Sequence, residues 1–501
     1  MASPLRLLNY VAGRWTPAAG EATLEDRSPH DWRRVISIFP RSQGEDAHRA
    51  VLAAREAFPS WRRLSRIKRA EYLDAVAQMV KRDQEELALL MAQESGKPLV
   101  ECRADVVEGL HTLQYWFGRA RMPLGDVLAS EIAEKDSFVF RKPKGVVVCI
   151  TPWNFPFAIP LWLICPSLLE GNTVVLKPAE ETPLLAHRIA QYFEAAGLPP
   201  GVLNVVHGYG EEVGWPLVVH PETDVVLFTG SYQVGSLIRQ ETAKDPRKFA
   251  VCEMGGKNAM VIFEDCDFDL AVNAAILAAF RTSGQRCVSA SRLFVQEGIL
   301  ERFTQAFGEK ARRLRIGDPT REDTFIGPLI TPEAREKVER YNHLAKEEGA
   351  HVVLEVGRPL DPDLRYGAYI GPFVYLMEHE GRKRVLREEV FGPHVAIIPF
   401  SDMEDVIRKY NDADYAFALA VCTRDYRKQR LLREECDFGV GYVNLPTIGA
   451  EVHLPFGGLR RSGTGMPSAA ALADAVSHRV SWTVNHGVEI RMAQGLTSQV
   501  P

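Results

Sequence analysis

Val146-Val147-Val148-Cys149-Ile150-Thr151-Pro152-Trp153-Asn154-Phe155-Pro156 is the stretch on which the fold turns. Its first five residues form a strand-sized, largely β-branched run. Thr151-Pro152 stops that run, and the helix-length apolar segment Ile159–Glu170 follows. The alternation then repeats: strand Thr173–Lys177, helix Pro183–Ala196 ended by Gly197, strand Val202–Val206, and a helix near Glu211–Val219. The strand Val225–Phe228, a helix from Ser231 and the strand Phe249–Cys252 complete the series. Strands alternating with helices of this length predict an α/β fold with a parallel, doubly wound sheet. On such sheets ligands sit at the carboxyl ends of strands, which is where Asn154 falls.

Outward from this core, a second α/β series starts at Ala259–Phe263, after Gly255-Gly256, and runs to about residue 445. Residues 48–119 show helical periodicity with short breaks. Segments 122–142 and 475–501 carry strand-like patches, Ser137–Arg141 and Val480–Val484, with too little apolar surface for a core of their own. Arms of this kind complete themselves on another subunit, so a homo-oligomer, a dimer or higher, is expected.

The chain has 501 residues, 46% of them hydrophobic and 25% charged, which predicts a soluble protein of two or three domains. A formal charge of -5 argues against non-specific nucleic-acid binding. The basic run Trp61-Arg62-Arg63-Leu64-Ser65-Arg66-Ile67-Lys68-Arg69 reads as a solvated helix face, because Leu64, Ile67 and Ala70 recur at helical spacing. No secretory leader and no bilayer-length apolar run is expected, so no membrane association. Eight cysteines without a C-x-x-C pair argue against zinc and disulfides and for a reducing cytoplasm.

Three patterns can be set aside. Gly96-Lys97 lacks the first glycine and the Ser/Thr of a phosphate loop, having Met91 and Pro98 there. Asp265, Asp267 and Asp269 lack the glycine and terminal glutamate of a calcium loop, and read instead as caps of the next helix. No histidine pair has H-E-x-x-H spacing, and no metal is predicted.

Other segments carry chemistry. Lys177-Pro178-Ala179-Glu180 follows a strand, as Asn154 does. Phe228-Thr229-Gly230-Ser231 leads into a helix with Gly235 on its first turn, which offers free N–H groups to a phosphate. Glu253-Met254-Gly255-Gly256-Lys257-Asn258 precedes Gly284-Gln285-Arg286-Cys287 by about thirty residues. A lone cysteine after a glycine turn reads by itself as a core residue sooner than as a nucleophile.

Together with Glu388-Glu389-Val390-Phe391-Gly392-Pro393 and Pro455-Phe456-Gly457-Gly458, these segments resemble the aldehyde dehydrogenase superfamily. The resemblance runs in order from Glu94-Ser95-Gly96-Lys97 over nearly the whole chain. It implies a Rossmann-like NAD-binding domain (1–121 and 143–253, with 446–474 returning to it), an α/β catalytic domain (254–445) and a small β oligomerisation arm (122–142 and 475–501). It implies Cys287 as nucleophile, Asn154 as oxyanion donor and Glu253 as the base that activates water. Relatives that release the acyl group to coenzyme A or to phosphate generally lack that base, so a free acid is the implied product.

For the cofactor, the resemblance implies Lys177 and Glu180 at the adenosine ribose, Ser231 at the pyrophosphate, and Glu389 and Phe391 at the nicotinamide ribose and ring. Thr151, Pro152, Trp153, Gly230, Gly235, Met254 and Gly255 complete the expected cofactor contacts. Glu180 would repel a 2′-phosphate, which points to NAD, with NADP possible.

Local features resemble the branches that oxidise amino-acid semialdehydes. Gly210-Glu211-Glu212-Val213-Gly214 looks like the glutamate semialdehyde (1-pyrroline-5-carboxylate) enzymes. Asn444–Glu451 and the tail Ala493-Gln494-Gly495 look like the α-aminoadipate semialdehyde enzymes. Glu108 matches a carboxylate that meets the substrate ammonium in both; on its own it reads as an exposed helical acid. Thr447, Gly449 and Ala450 lie in a loop that could bind an α-carboxylate through N–H groups, or simply be a turn. Phe157, Arg286 and Ser289 are further candidates for substrate contact. Gly463-Thr464-Gly465-Met466-Pro467-Ser468 lacks the second glutamate of some relatives. Two alternatives stand beside this reading. A broad-specificity enzyme for apolar aldehydes would suit Trp153, Phe157 and Trp162. A retired structural protein is opposed by intact Cys287, Glu253, Asn154 and Lys177.

Overall fold

The computed structural model describes residues 3–380, 382–465 and 468–493. Met466, Pro467 and the tail from Gln494, on which two of the sequence comparisons above draw, lie outside the described residues.

Val146–Ile150 forms the centre of a seven-stranded sheet, paired in parallel with Thr173–Lys177 on one side and Val225–Thr229 on the other. Leu203–Val205 lies beyond the former and Phe249–Glu253 beyond the latter, again in parallel. The chain therefore winds outward for two strands, then crosses to the other side of its starting strand. That reversal opens a crevice past Ile150 and Thr229, the position where doubly wound sheets take ligands. Residues 146–149 and 173–177 are wholly buried, so both faces of these strands are covered, and apart from Thr173 and Lys177 they are apolar. The helix Ala158–Leu169 is buried on every side, which its nearly all-apolar sequence allows.

The far edge was not anticipated from sequence. A hairpin, Asn9–Val11 and Arg14–Thr16, adds to Leu203–Val205 antiparallel, turning through Ala12 and Gly13 at positive φ. A separate three-stranded sheet of Leu5–Arg6, Val35–Pro40 and Thr23–Arg27 packs nearby.

The second seven-stranded sheet runs His351–Glu355, Phe373–Leu376, His394–Phe400, Ala290–Gln296, Asn258–Ile262, Ala418–Cys422 and Val440–Val443. Only its first strand is antiparallel. A third sheet pairs Ser477–Asn485 with Lys135–Pro143 over their full length, with Asp126–Leu128 on the outside. The segment after residue 453 returns to the first sheet, where Thr464 N donates to Cys252 O at 3.1 Å and Met254 N donates to Ser462 O at 2.8 Å.

The basic run does not form one solvated helix face. One helix ends at the buried Trp61 and a second starts at Arg66, capped by Ser65, whose Oγ accepts from Lys68 N at 3.2 Å. Arg69 is buried and donates Nε to Leu169 O at 2.9 Å, satisfying a carbonyl left open at a helix end. Arg66 pairs with Glu170 at 2.5 Å, leaving Arg62, Arg63 and Lys68 as the exposed cations. Asp267 caps the following helix as expected, accepting from Leu270 N at 3.2 Å.

Candidate active site

Cys287 sits on a loop that follows the helix Phe268–Phe280. The loop passes through Thr282 and Ser283, both left-handed with φ of 53° and 54°, and then Gly284 at 73°. Left-handed backbone at a non-glycine residue costs on the order of 1–3 kcal/mol and persists only where neighbours over-determine it. Here they do. Thr282 N donates to Glu101 Oε1 at 2.8 Å, and Thr282 Oγ1 donates to Glu101 Oε2. Ser283 Oγ donates to Gly327 O at 2.9 Å, and Gln285 Oε1 accepts from Ile330 N at 3.0 Å. On the far side, Asn258 Nδ2 donates to the carbonyls of Cys287 (2.6 Å) and Ser289 (3.0 Å).

Burial pushes the Cys287 thiol up to about 12, with Glu389 and Glu253 adding to the rise and Arg286 opposing it. The thiol is therefore protonated at neutral pH, and the sulfur must shed that proton as it reacts.

Asn154 comes from the end of the central strand and is 5% exposed. Its Nδ2 donates to Gln285 O at 3.0 Å, which ties it to the nucleophile loop. Its own carbonyl accepts from Lys97 Nζ at 3.1 Å, and Lys97 is in turn paired with Asp105 at 2.8 Å. Lys97 thus serves as a buried post under Asn154.

Glu253 ends the edge strand of the first sheet. One oxygen accepts from Gly458 N at 3.0 Å, while Oε1 is buried without a hydrogen-bond partner among the described residues. Burial raises this carboxyl well above its ordinary range, against the single Gly458 donor. A carboxylate so poorly satisfied takes up a proton readily, as a base requires.

Of the residues expected at the cofactor, Ser231 and Glu389 line a shared cleft. Thr151 N donates to Lys177 O at 3.2 Å, and Lys177 Nζ pairs with Glu180 at 2.7 Å, so Thr151, Pro152 and this pair follow neighbouring strand ends. Gly230 N donates to Glu253 O at 3.0 Å, and Ser231 caps the helix Tyr232–Thr242 through Val234 N. A Cβ at Gly235 would stand 2.5 Å from Met254 Sδ, and one at Gly255 would collide with the Glu389 carboxylate. Glu389 Oε1 accepts from Gly256 N at 2.8 Å, and Trp153 meets Phe391 edge-on at 5.5 Å. A cleft of about 570 Å³ runs from Ser231 to Glu389, its wall carrying Lys337, Arg382 and Arg461. Helix N–H groups and a surplus of cations over carboxylates suit an anionic dinucleotide.

A second cavity, of about 380 Å³, reaches Cys287 from the other side. Glu108, Arg286, Gly449 and Ala450 line it as expected, together with Phe155, Ile159, Trp162 and Phe456. Phe157, Ser289 and Thr447 do not line it. Phe157 is packed beneath the helix at Gly109, and the Ser289 hydroxyl accepts from Arg286 N at 3.3 Å. Thr447 is fully buried. Arg286 is present only as a wall, because its guanidinium donates to Glu101 Oε2 at 2.6 Å and to Thr282 Oγ1 at 2.7 Å. Burial, reinforced by Asp105, lifts the Glu108 carboxyl to about 8. His111, Glu451 and His453 also face this cavity and were missed from sequence. For His111 a signal existed: Ala104, Val107, Glu108 and His111 form one helical stripe.

Comparison with known proteins follows this geometry. The model of the aldehyde dehydrogenase family matches residues 15–480. Over 457 residues the chain is 35% identical to an α-ketoglutaric semialdehyde dehydrogenase of Bacillus subtilis, covering 91% of this chain and 93% of that one. It is also 35% identical over 463 residues to a betaine aldehyde dehydrogenase of the same organism, with 91% and 93% covered. A betaine aldehyde dehydrogenase from Staphylococcus aureus, solved in complex with NAD+, superposes with a TM-score of 0.93 at 33% identity, covering 97% of this chain and 96% of that chain.

Proposed function

We propose a reaction for this chain on the premise that it belongs, as sequence and fold show, to the aldehyde dehydrogenase family. It is an oxidoreductase acting on aldehydes. The finer reading is NAD-dependent oxidation of an aldehyde that also carries an ammonium group, an amino-acid semialdehyde such as glutamate γ-semialdehyde, to the free acid. One observation carries the substrate class. Two acids, Glu108 and Glu451, line the cavity that ends on Cys287, Glu108 among Trp162, Ile159 and Phe456, while the nearby cation, Arg286, is already bonded to Glu101. Such a cavity favours a positive substrate over an acidic one. Of the two aldehydes named for the relatives, betaine aldehyde is the cationic one. The loop Gly449–Ala450 supports an α-carboxylate through its N–H groups. The aromatic wall supports a second reading, an apolar aldehyde.

Each step of the mechanism then has a residue. Cys287 Sγ gives its proton to solvent water and bonds to the aldehyde carbon, and the carbonyl oxygen takes the electron pair next to Asn154 Nδ2. When bound in the Ser231–Glu389 cleft, the nicotinamide cofactor supplies the acceptor for the hydride that the adduct loses. A thioester remains on Cys287. Glu253 takes a proton from water, the water oxygen bonds to the acyl carbon, and the C–S bond breaks. Lys177 and Glu180 orient the adenosine ribose in this reading, and Lys97 keeps Asn154 aimed.

No helix among the described residues is long and apolar enough to cross a membrane. Eight unpaired cysteines support a reducing, cytoplasmic setting. Val127 at 76% exposure and Trp482 at 61% support the arm as a surface for a second copy, and the three-domain division as its frame.

The test is NADH formation with glutamate semialdehyde, aminoadipate semialdehyde, hexanal and benzaldehyde side by side. A preference for the last two overturns the ammonium reading. A Cys287→Ala protein that still oxidises its best aldehyde overturns the mechanism.

A further inference from the structure

Glu101 lies outside both the cofactor cleft and the substrate cavity, on the helix Leu99–Arg119, yet it is bound to the nucleophile loop at both ends of its sharp bend. Oε1 accepts from Thr282 N at 2.8 Å. Oε2 accepts from the Thr282 hydroxyl and, at 2.6 Å, from Arg286 Nη2. The bracket closes on itself, because Arg286 Nε donates to Thr282 Oγ1 at 2.7 Å while that hydroxyl donates to Glu101. Between the two anchored residues lie Ser283, Gly284 and Gln285, and the Gln285 carbonyl is the one that Asn154 Nδ2 grips. Cys287 follows Arg286 directly. One carboxylate therefore governs two things that the reaction needs in register, the direction of the sulfur and the carbonyl that parks the oxyanion donor.

We infer that Glu101 is a positioning residue for this reaction: by clamping Thr282 and Arg286 it holds the left-handed bend that aims Cys287 at the substrate carbon. The carboxylate touches neither substrate nor cofactor. Its burial would favour the neutral acid, but the Arg286 charge and the Thr282 donors outweigh that and keep it ionised. An ionised acid that accepts three donors from one loop is a rigid tether, because each bond fixes the direction of the others. A loose tether leaves the thiol in place but off the line of attack, and small errors of aim cost rate more than binding. The inference rests on Cys287 being the nucleophile.

The experiment compares the full-length wild type with Glu101→Gln, Arg286→Met, the double variant and Arg286→Lys. For each, kcat and KM are expressed per thiol titrated with iodoacetamide, and thermal melting is recorded. Glu101→Gln is expected to lower kcat per titrated site about 10- to 100-fold, with KM for NAD within about twofold. Arg286→Met should act in the same direction and Arg286→Lys should recover part of the loss. The double variant should be no more than about threefold worse than the poorer single, because both changes open one clamp. Wild-type kcat per titrated site in Glu101→Gln, with only the melting temperature or the titre reduced, overturns the inference and makes Glu101 structural. Effects that multiply in the double variant overturn it as well. If Glu101→Gln does not fold, Glu101→Asp replaces it: an unchanged kcat refutes the clamp and a lowered one at normal melting temperature supports it. Activity surviving in Cys287→Ala refutes the underlying reading instead, and is scored separately.

Discussion

Glu101 and Glu94 sit on neighbouring helices, both fully buried, and the protein treats them in opposite ways. Glu101 receives two donors from Thr282 and one from Arg286, and stays ionised below its ordinary range. Glu94 has Leu184 N on one oxygen, a second oxygen without a hydrogen-bond partner among the described residues and the carboxyl of Asp26 as a neighbour; burial first and Asp26 second raise it well above its range, against the N–H groups of Leu184 and Leu185. Burial is common to both. The difference lies in how many donors the fold delivers, and the same distinction runs through the active site. A carboxylate with its donors complete is scaffold. One left short of donors, such as Glu253 or Glu108, is ready to exchange a proton or accept a cation.

The comparison breaks first at Glu253. Replacing it with Gln should slow thioester hydrolysis about 10²- to 10⁴-fold, leaving a stoichiometric burst of NADH followed by a stalled acyl-enzyme. In wild type, the hydrolysis rate should climb with pH across the raised Glu253 titration, because only the ionised form takes a proton from water. A flat profile, or steady turnover in the Gln variant, would remove Glu253 from the second half-reaction.

Glu108 gives the next largest effect. Its carboxyl, at about 8, is neutral below that pH and ionised above it, so KM for an ammonium-bearing aldehyde should fall between pH 6.5 and 8.5. Glu108→Gln should raise that KM by about 10- to 100-fold, the worth of a charged hydrogen bond, and abolish the pH trend. Hexanal kinetics should not change. Equal effects on both substrates would make Glu108 a packing residue.

The smallest effect concerns stability. Asp26 is raised to about 8, so the stability it contributes is complete below its unfolded titration near pH 4 and is lost as pH rises through about 8. Asp26→Asn should therefore gain on wild type as pH rises from 5 to 8, by about 3 to 4 kcal/mol in urea unfolding. A constant difference between the two proteins across that range would mean that Asp26 is not titrating there.

The parallel core was legible in the sequence because its signals are local. Val146–Ile150 and Thr173–Lys177 are continuous β-branched runs bounded by proline or glycine, and both strands form with those bounds. Cys287, Glu253 and Asn154 could be proposed only as a set, through their order along the chain, and the structure ties Asn154 to the loop that carries Cys287. The amino-terminal strands were not, since runs as short as Leu5–Arg6 and Asn9–Val11 owe their conformation to partners far along the chain. Nor was the commitment of Arg286, whose partner Glu101 is 185 residues away. Beside the nucleophile Arg286 looked like a substrate ligand; its actual bond makes it part of the frame. Arg69 misled in the same way, because a cation that fills a helix end looks in sequence like any surface cation.

The bond from Asn154 Nδ2 to the Gln285 carbonyl has one more implication, for inhibitor design. The amide nitrogen has two N–H donors, and this bond occupies one of them. The second N–H is left for an incoming oxygen, with its direction already fixed by the first. A negatively charged oxygen gains most from such a pre-aimed donor, since charged hydrogen bonds are about twice as strong. Compounds that become anionic on meeting the thiol should therefore hold this amide better than those that merely resemble the substrate.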